Sequence, residues 1–348
     1  MKIYIAGISG TAIRRRNLKR EIDQIRDSGK VFEVGDADDQ TPIRFMFGTP
    51  DGLYAVKDKS IFLTQLADHI DPERTNIDVR DVHQKALPYG FENPVVGKIL
   101  VSAKRLFNAG FMSDAIAQET AMEIILGGTG ILCEMQDLTD KVFGQISSIA
   151  AAGIPRGDKG QMLPHTPDLR TSIDTYIRLI NNLRQMLIDF LVAIYKPAEG
   201  KGLLANLKTA IHQKHGDDHG FCTFFDDLTQ AIAFMRELRN AWEHPKAGQK
   251  VVWKDFAMKP DGRVYSPTIE LVSAEYPQCE MDLVAFMKQC TATLIYRLED
   301  LIGNACAANR SFGDFECGVM ELPMERRQHP EARLTYAVFL NGEWQPIG

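Results

Sequence analysis

Helical periodicity between residues 166 and 308 is the feature that most constrains the fold of this chain. Apolar residues recur every three or four positions in three long stretches, which begin near Asp168, Phe221 and Met281. This spacing gives each predicted helix one apolar stripe and an opposite polar surface. A shorter helix is predicted from Leu203 to Gln213. Three long helices and one short helix in about 135 residues predict an antiparallel bundle.

Local signals set the ends of these helices. Thr166-Pro167-Asp168 offers an N-cap, a proline at the first helical position and an acid in the first turn, and Lys196-Pro197 closes the same helix. Pro245 ends the helix from Phe221 to His244. Two β-rich runs around Lys259-Pro260-Asp261-Gly262 predict a β-hairpin inserted before the last helix.

The remaining chain divides into shorter segments. The fold class is therefore mostly α, with a helical bundle between a small α+β region and a short β appendage. The predicted segments are 1–93 (small α+β region of unknown role), 94–165 (helical connecting region and linker), 166–309 (bundle) and 310–348 (β appendage).

Finer predictions concern turns and breaks. Thr49-Pro50-Asp51-Gly52 predicts a hairpin, and Asn341-Gly342 predicts another in the C-terminal segment. The residues from Ile61 to Ile70 are predicted to be a helix, and those from Asp71 to Pro94 a connecting segment. Gly127-Gly128-Thr129-Gly130 is expected to end a helix, because paired glycines favour a turn.

Composition excludes some classes of protein. No apolar run reaches 18 residues, so no membrane span is expected. Six scattered cysteines without a Cys-x-x-Cys pair favour free thiols in a reducing cytoplasm. The net charge of −6 argues against a non-specific nucleic-acid coat but leaves room for a small local site.

The stretch Arg239-Asn240-Ala241-Trp242-Glu243-His244 carries the candidate chemistry. Arginine is a permanent cation suited to phosphate, and histidine exchanges a proton near neutral pH. Residues five apart on a straight helix are about 140° apart, so Arg239 and His244 do not share a helical face. Because Pro245 disfavours helix at His244, the imidazole is expected at the helix end, where it can turn toward Arg239.

Structural interpretations of the same residues remain open. Arg239 and Glu243 are four apart and can form a surface ion pair. His244 can simply cap the last carbonyl groups of the helix.

The stretch from Phe234 to Pro245 resembles the signature of the HEPN superfamily, in which four to six residues separate an arginine from a histidine at the end of a core helix. The resemblance covers about residues 166–308. It implies a metal-independent endoribonuclease in which the RNA 2′-hydroxyl attacks the adjacent phosphate. His244 would transfer protons, Arg239 would hold the phosphorane charge, and Asn240 would orient one of these groups.

The resemblance also implies partners and a setting. HEPN sites are usually built from two protomers, so a homodimer is expected, together with RNA and a role in defence or in a toxin–antitoxin pair with an antitoxin protein. No cofactor or metal is expected. The alternative is a non-catalytic HEPN-like scaffold for dimerisation or RNA binding, since many such domains are not catalytic.

Other motifs are weaker. Three histidines and two aspartates lie between His212 and His219 and are interpreted as a solvated loop rather than a metal site. Gly7-Ile8-Ser9-Gly10-Thr11 lacks the ending of a phosphate-binding loop. The basic run from Arg14 to Arg20 is interpreted as a solvated helix face or a contact for phosphate or an acidic partner.

Overall fold

A computed structural model shows a chain that combines helices, over about half its length, with several small antiparallel sheets. The structure describes residues 2–5, 19–28, 30–107, 110, 112, 117–153, 160–200, 202–310 and 316–347. The helices are α1 (Glu21–Asp27), α2 (Ala67–Ile70), α3 (Pro94–Val96), α4 (Ser102–Leu106), α5 (Gln118–Ala152), α6 (Leu169–Tyr195), α7 (Leu203–His215), α8 (Gly220–Glu243) and α9 (Leu283–Ala308). A π-helical turn, Gly97–Val101, joins α3 to α4.

The strands form sheets of two to four members. They are β1 (Lys2–Ile5), β2 (Lys30–Glu33), β3 (Phe45–Thr49), β4 (Gly52–Val56), β5 (Ile61–Gln65), β6 (Val82–Leu87), β7 (Lys250–Lys254), β8 (Ala257–Met258), β9 (Val264–Tyr265), β10 (Thr268–Val272), β11 (Gln278–Asp282), β12 (Cys317–Glu321), β13 (Leu334–Leu340) and β14 (Glu343–Ile347). The sheet orders are β1-β2, β3-β4-β5-β6, β11-β10-β7, β8-β9 and β12-β13-β14.

The three predicted hairpins are confirmed. β3 pairs with β4 across the Pro-Asp-Gly turn, and β7 pairs with β10 around the smaller β8–β9 ribbon. β13 and β14 are joined by Asn341 and Gly342, which both have positive φ as a two-residue hairpin turn requires.

The long helices α5, α6, α8 and α9 pack around one apolar core. The stripe predicted on α6 is fully buried: Ile173, Ile177, Ile180, Leu187, Leu191 and Ile194. Tyr176 ties α6 to α9, because its hydroxyl donates to the Met287 carbonyl at 2.7 Å and lies 2.8 Å from Thr291 Oγ1. Phe47 of β3 and Tyr336 of β13 contribute to the same core. The boundaries of the four predicted segments stay predictions.

The expected helix stop at Gly127–Gly130 is wrong, since α5 continues through these residues. Gly128 is buried where α5 meets α6. A Cβ atom at Gly128 would lie 2.2 Å from Cε of Met186. The glycine therefore permits a close approach of two helices and does not form a turn.

Two predictions in the N-terminal segment are also wrong. Ile61–Gln65 is strand β5 rather than helix, and only the four residues of α2 that follow it are helical. A run of four buried residues cannot distinguish a central strand from a buried helix by its periodicity. The connecting segment expected after Asp71 contains β6, an edge strand with mostly exposed side chains.

The expected cap of α6 is wrong in its detail. Asp168 adopts a left-handed conformation at the N-cap position and its side chain caps no backbone group. Thr166 instead donates its backbone N–H and its hydroxyl to Asp255, at 2.8 and 2.9 Å. This threonine therefore fixes the chain before α6 to the segment after β7.

The loop Gly7–Thr11 and residues 14–18 of the basic run lie outside the described residues. Among the helices that the structure describes, none has both the length and the apolar composition needed to cross a membrane.

Candidate functional site

The candidate site lies where α8 ends against α6. At one end of the helix pair, the rings of Tyr195 and Phe221 stack with centroids 5.6 Å apart. At the other end, the indole N–H of Trp242 donates to Oδ1 of Asp174 at 2.7 Å. These two contacts show that α6 and α8 run antiparallel, and they fix which residues face each other between them.

Arg239 and Asn240 lie together on α8. Nη1 of Arg239 donates to Oδ1 of Asn240 at 3.3 Å, and Nη2 lies 2.5 Å from Oε2 of Glu243. Nε of Arg239 is buried and has no hydrogen-bond partner among the described residues. The arginine therefore has one carboxylate partner and one unsatisfied donor.

His244 is the first residue after α8, where Pro245 predicts it. Its backbone N–H donates to the Asn240 carbonyl at 2.9 Å, which closes the last turn. Its side chain is exposed, and its ring makes no hydrogen bond or ion pair with any residue the structure describes. The imidazole is therefore accessible from solvent, and no hydrogen bond joins it to Arg239.

Two further arginines lie near Arg239, one on α6 and one on α8, and neither was predicted from the sequence. Arg184 of α6 lies near Arg236 and Arg239. Burial lowers the pKa of Arg184, and the charges of Arg236 and Arg239 lower it further, while Asp189 opposes them. We call Arg184, Arg236 and Arg239 the arginine cluster.

The arginine cluster is short of carboxylates. Nε of Arg184 donates to the amide oxygen of Asn181 at 3.1 Å, and no ion pair is formed with a described residue. Arg236 is exposed and has neither a hydrogen bond nor an ion pair within the described ranges. Among the described residues, Glu243 is thus the one acid in direct contact with the arginine cluster, and it contacts only Arg239. This shortage occurs in a chain whose net charge is −6. Clustered guanidinium groups with this shortage of counter-charge favour a bound anion such as phosphate.

A pocket of about 380 Å³ opens beside the end of α8. It is lined by Arg170, Thr171, Asp174, Trp242 and Trp253. Asp174 accepts from Trp242 through one oxygen and pairs with Arg178 through the other at 3.0 Å. We call the pocket lined by these five residues the tryptophan pocket.

The histidines between His212 and His219 make contacts within the fold. The predicted loop is confirmed for only part of this stretch. His212 and His215 belong to the last turn of α7, and only residues 216–219 form the loop. Nδ1 of His212 lies 2.7 Å from Asp217, and Nε2 of His215 lies 3.1 Å from the Tyr195 hydroxyl. Nδ1 of His219 accepts from the backbone N–H of Phe221 and caps α8.

No group of three or more His, Cys, Asp or Glu residues placed to hold a metal ion occurs in the described part of the chain. A second cavity of about 270 Å³ lies between α5, α9 and the residues that begin at Pro94, and Lys98 and Lys288 are among its lining residues. None of the three residues of the arginine cluster lines this cavity.

Comparisons of the chain with protein-family models, curated proteins and solved structures found no match. The geometry of α6, α8 and the residues that follow them is therefore the basis for the proposal below.

Proposed function

We propose that the α6–α8 face binds RNA and that Arg239, Asn240 and His244 form the catalytic site of a metal-independent endoribonuclease with a HEPN-like bundle. The observation that carries the proposal is the exposed imidazole of His244, which has no partner among the described residues. It lies directly beyond an arginine cluster that only one described carboxylate contacts. A proton-transfer group beside a cationic phosphate site is the minimum that RNA cleavage without a metal requires.

The reaction is a transesterification at one phosphate. The RNA 2′-oxygen bonds to phosphorus as its proton leaves, and the bond from phosphorus to the 5′-oxygen breaks as that oxygen gains a proton. The products are a 2′,3′-cyclic phosphate and a 5′-hydroxyl. His244 supplies one of the two proton transfers, which contribute roughly 10²–10⁴ in rate. Arg239 stabilises the charge on the phosphorane, and Asn240 holds the guanidinium by the bond at 3.3 Å.

A second copy of the chain supplies the second proton-transfer group in this proposal. Each copy offers one exposed histidine at the end of α8. A homodimer that brings two α8 ends together would place one imidazole as the base and the other as the acid.

Glu243 does not prevent phosphate binding. Both side chains of the Arg239–Glu243 pair are about one-third exposed. Exposed ion pairs contribute about 0–1 kcal/mol, so a phosphate that contacts several arginines can displace the glutamate.

A cleavage assay on end-labelled single-stranded RNA in the presence of EDTA tests the proposal. H244A and R239A are expected to lose cleavage while they keep the melting temperature of the wild-type protein. H83A is the matched control, since His83 is also exposed but lies on β6. Equal cleavage by H244A and the wild-type protein would refute the assignment of His244.

The second candidate is a non-catalytic HEPN-like scaffold for dimerisation or RNA binding. The Arg239–Glu243 ion pair and the bond from Trp242 to Asp174 favour it, because they are contacts that stabilise the end of a helix. A scaffold would bind RNA without cleaving it, and R239A would lower its melting temperature. A cytoplasmic role in defence or with an antitoxin partner belongs to the proposal through the HEPN resemblance.

A further inference from the structure

We propose that the tryptophan pocket holds one unpaired nucleobase of the RNA, next to the phosphate bound by the arginine cluster. The inference rests on the proposed function in naming RNA as the ligand. It adds a base-binding position and defines the substrate as single-stranded.

The chemistry of the pocket suits a nucleobase. Two half-buried indole side chains, Trp242 and Trp253, offer aromatic surface for stacking, which every base accepts. Arg170 and Thr171 are exposed at the pocket, and Arg170 has no hydrogen bond or ion pair with a residue that the structure describes. These donors and the Asp174 carboxylate can bond the polar edge of a base, whereas a purely apolar ligand would leave them unsatisfied.

The Trp242 ring and the backbone of Trp253 are held in place before any ligand binds. The indole N–H of Trp242 is fixed by Asp174 at 2.7 Å. Trp253 lies in β7, where it pairs with Ile269 of β10. A ring that is already held, as that of Trp242 is, loses little conformational entropy on binding, so stacking contributes more of its energy to affinity.

The position of the pocket connects it to the candidate catalytic residues. Trp242 follows Arg239 by three residues and precedes His244 by two. Three residues of helix rise about 4.5 Å, so Trp242 and Arg239 leave α8 less than one turn apart. In this proposal one nucleotide contacts both. A base that enters the pocket must leave its stack and its pairing, which single-stranded RNA permits at low cost.

Tryptophan fluorescence tests the pocket independently of cleavage. The chain has three tryptophans, and W344F removes the one outside the pocket. In that background, a short 2′-O-methyl oligoribonucleotide, which cannot be cleaved, is expected to quench the emission saturably. The same sequence in a duplex should bind at least 10-fold more weakly.

Two variants examine the assignment of residues. W253A should weaken binding of the single strand by about 10-fold, as the loss of one stacked base implies. R170Q, at an exposed position that does not risk the fold, should weaken binding and change the preference among homopolymers. R326Q, an exposed arginine of the C-terminal segment, is the control.

The outcomes separate this inference from the proposed function. Quenching and a loss of affinity in W253A and R170Q, with no cleavage by the wild-type protein, would support the pocket and refute the nuclease. Cleavage that depends on His244, with no quenching and unchanged affinity in R170Q, would support the nuclease and overturn the pocket. Equal affinity for single strand and duplex would also overturn it.

Discussion

Arg239 and Glu243 form an ion pair across one turn of α8, with Nη2 of the arginine 2.5 Å from Oε2 of the glutamate. The glutamate occupies Nη2 of the guanidinium, and Asn240 occupies Nη1. The pair is partly exposed, and helical pairs of this spacing contribute about 0.3–0.5 kcal/mol to stability. If the α6–α8 face binds RNA as proposed, the glutamate is a weak competitor for the phosphate. If the protein is a scaffold, the same pair contributes only this small amount to the end of α8.

E243Q tests this interpretation. Removal of the carboxylate charge should raise affinity for the uncleavable oligoribonucleotide by about 2-fold, which corresponds to the loss of a competitor worth about 0.3–0.5 kcal/mol. The melting temperature should change little, because an exposed pair contributes little. E134Q, at an exposed site on α5, is the control. A lower melting temperature with unchanged affinity would favour the scaffold.

R184Q and R236Q test the role of the arginine cluster. Each variant removes a guanidinium that has no carboxylate in contact among the described residues. If each contacts one phosphate, the slope of log affinity against log salt should decrease by about 0.7. Titrations at several KCl concentrations measure the slope, with R326Q as the control. Stability should not fall, since loss of one charge relieves repulsion. Unchanged slopes in both variants would exclude these arginines from the RNA contact.

G127A and G128A form a matched pair on α5. Gly127 is exposed with nothing within 4 Å of an added Cβ atom, so alanine should stabilise the protein by about 0.5–1 kcal/mol through helix propensity. At Gly128 the added Cβ atom would displace the Met186 side chain, and G128A should be less stable than G127A. Urea denaturation measures both. Destabilisation by both variants would mean that the glycines break the helix after all.

The difference between these two glycines shows where sequence patterns stop being informative. The apolar stripes of α6 and α8 were predictable, because the residues that contact the core recur every three or four positions along each helix. The path of α5 was not, because Gly128 is explained by Met186, which lies 58 residues later on another helix. The exposed polar edge strands β6 and β11 were missed because they lack an apolar pattern.

The candidate site was predictable only in its local part. Arg239, Asn240 and His244 are near neighbours in the sequence, and Pro245 correctly predicted the end of α8. Arg184 and Trp253 join the same face through the register of α6 against α8 and through the path of β7. No sequence spacing indicates those contacts.

His215 should make stability depend on pH. Burial, then the neighbouring charges of His219 and Lys214, lowers its pKa to about 4. The unfolded chain, with an ordinary pKa of about 6.5, binds the proton first as the pH falls, so stability should decrease from pH 6.5 towards pH 4. H215F should remove part of this dependence, as judged by melting temperatures across that range. A His215 resonance that titrates near pH 6.5 in an NMR experiment would contradict the assignment.

The most direct test of the central claim is analysis of the RNA ends produced in EDTA by the wild-type protein and by H244A. If His244 transfers a proton during attack by the 2′-hydroxyl, the wild-type protein will leave 2′,3′-cyclic phosphates and 5′-hydroxyls, and H244A will lower the rate by about 10²-fold or more. Intact RNA after prolonged incubation with the wild-type protein, or identical cleavage by H244A, would contradict the account.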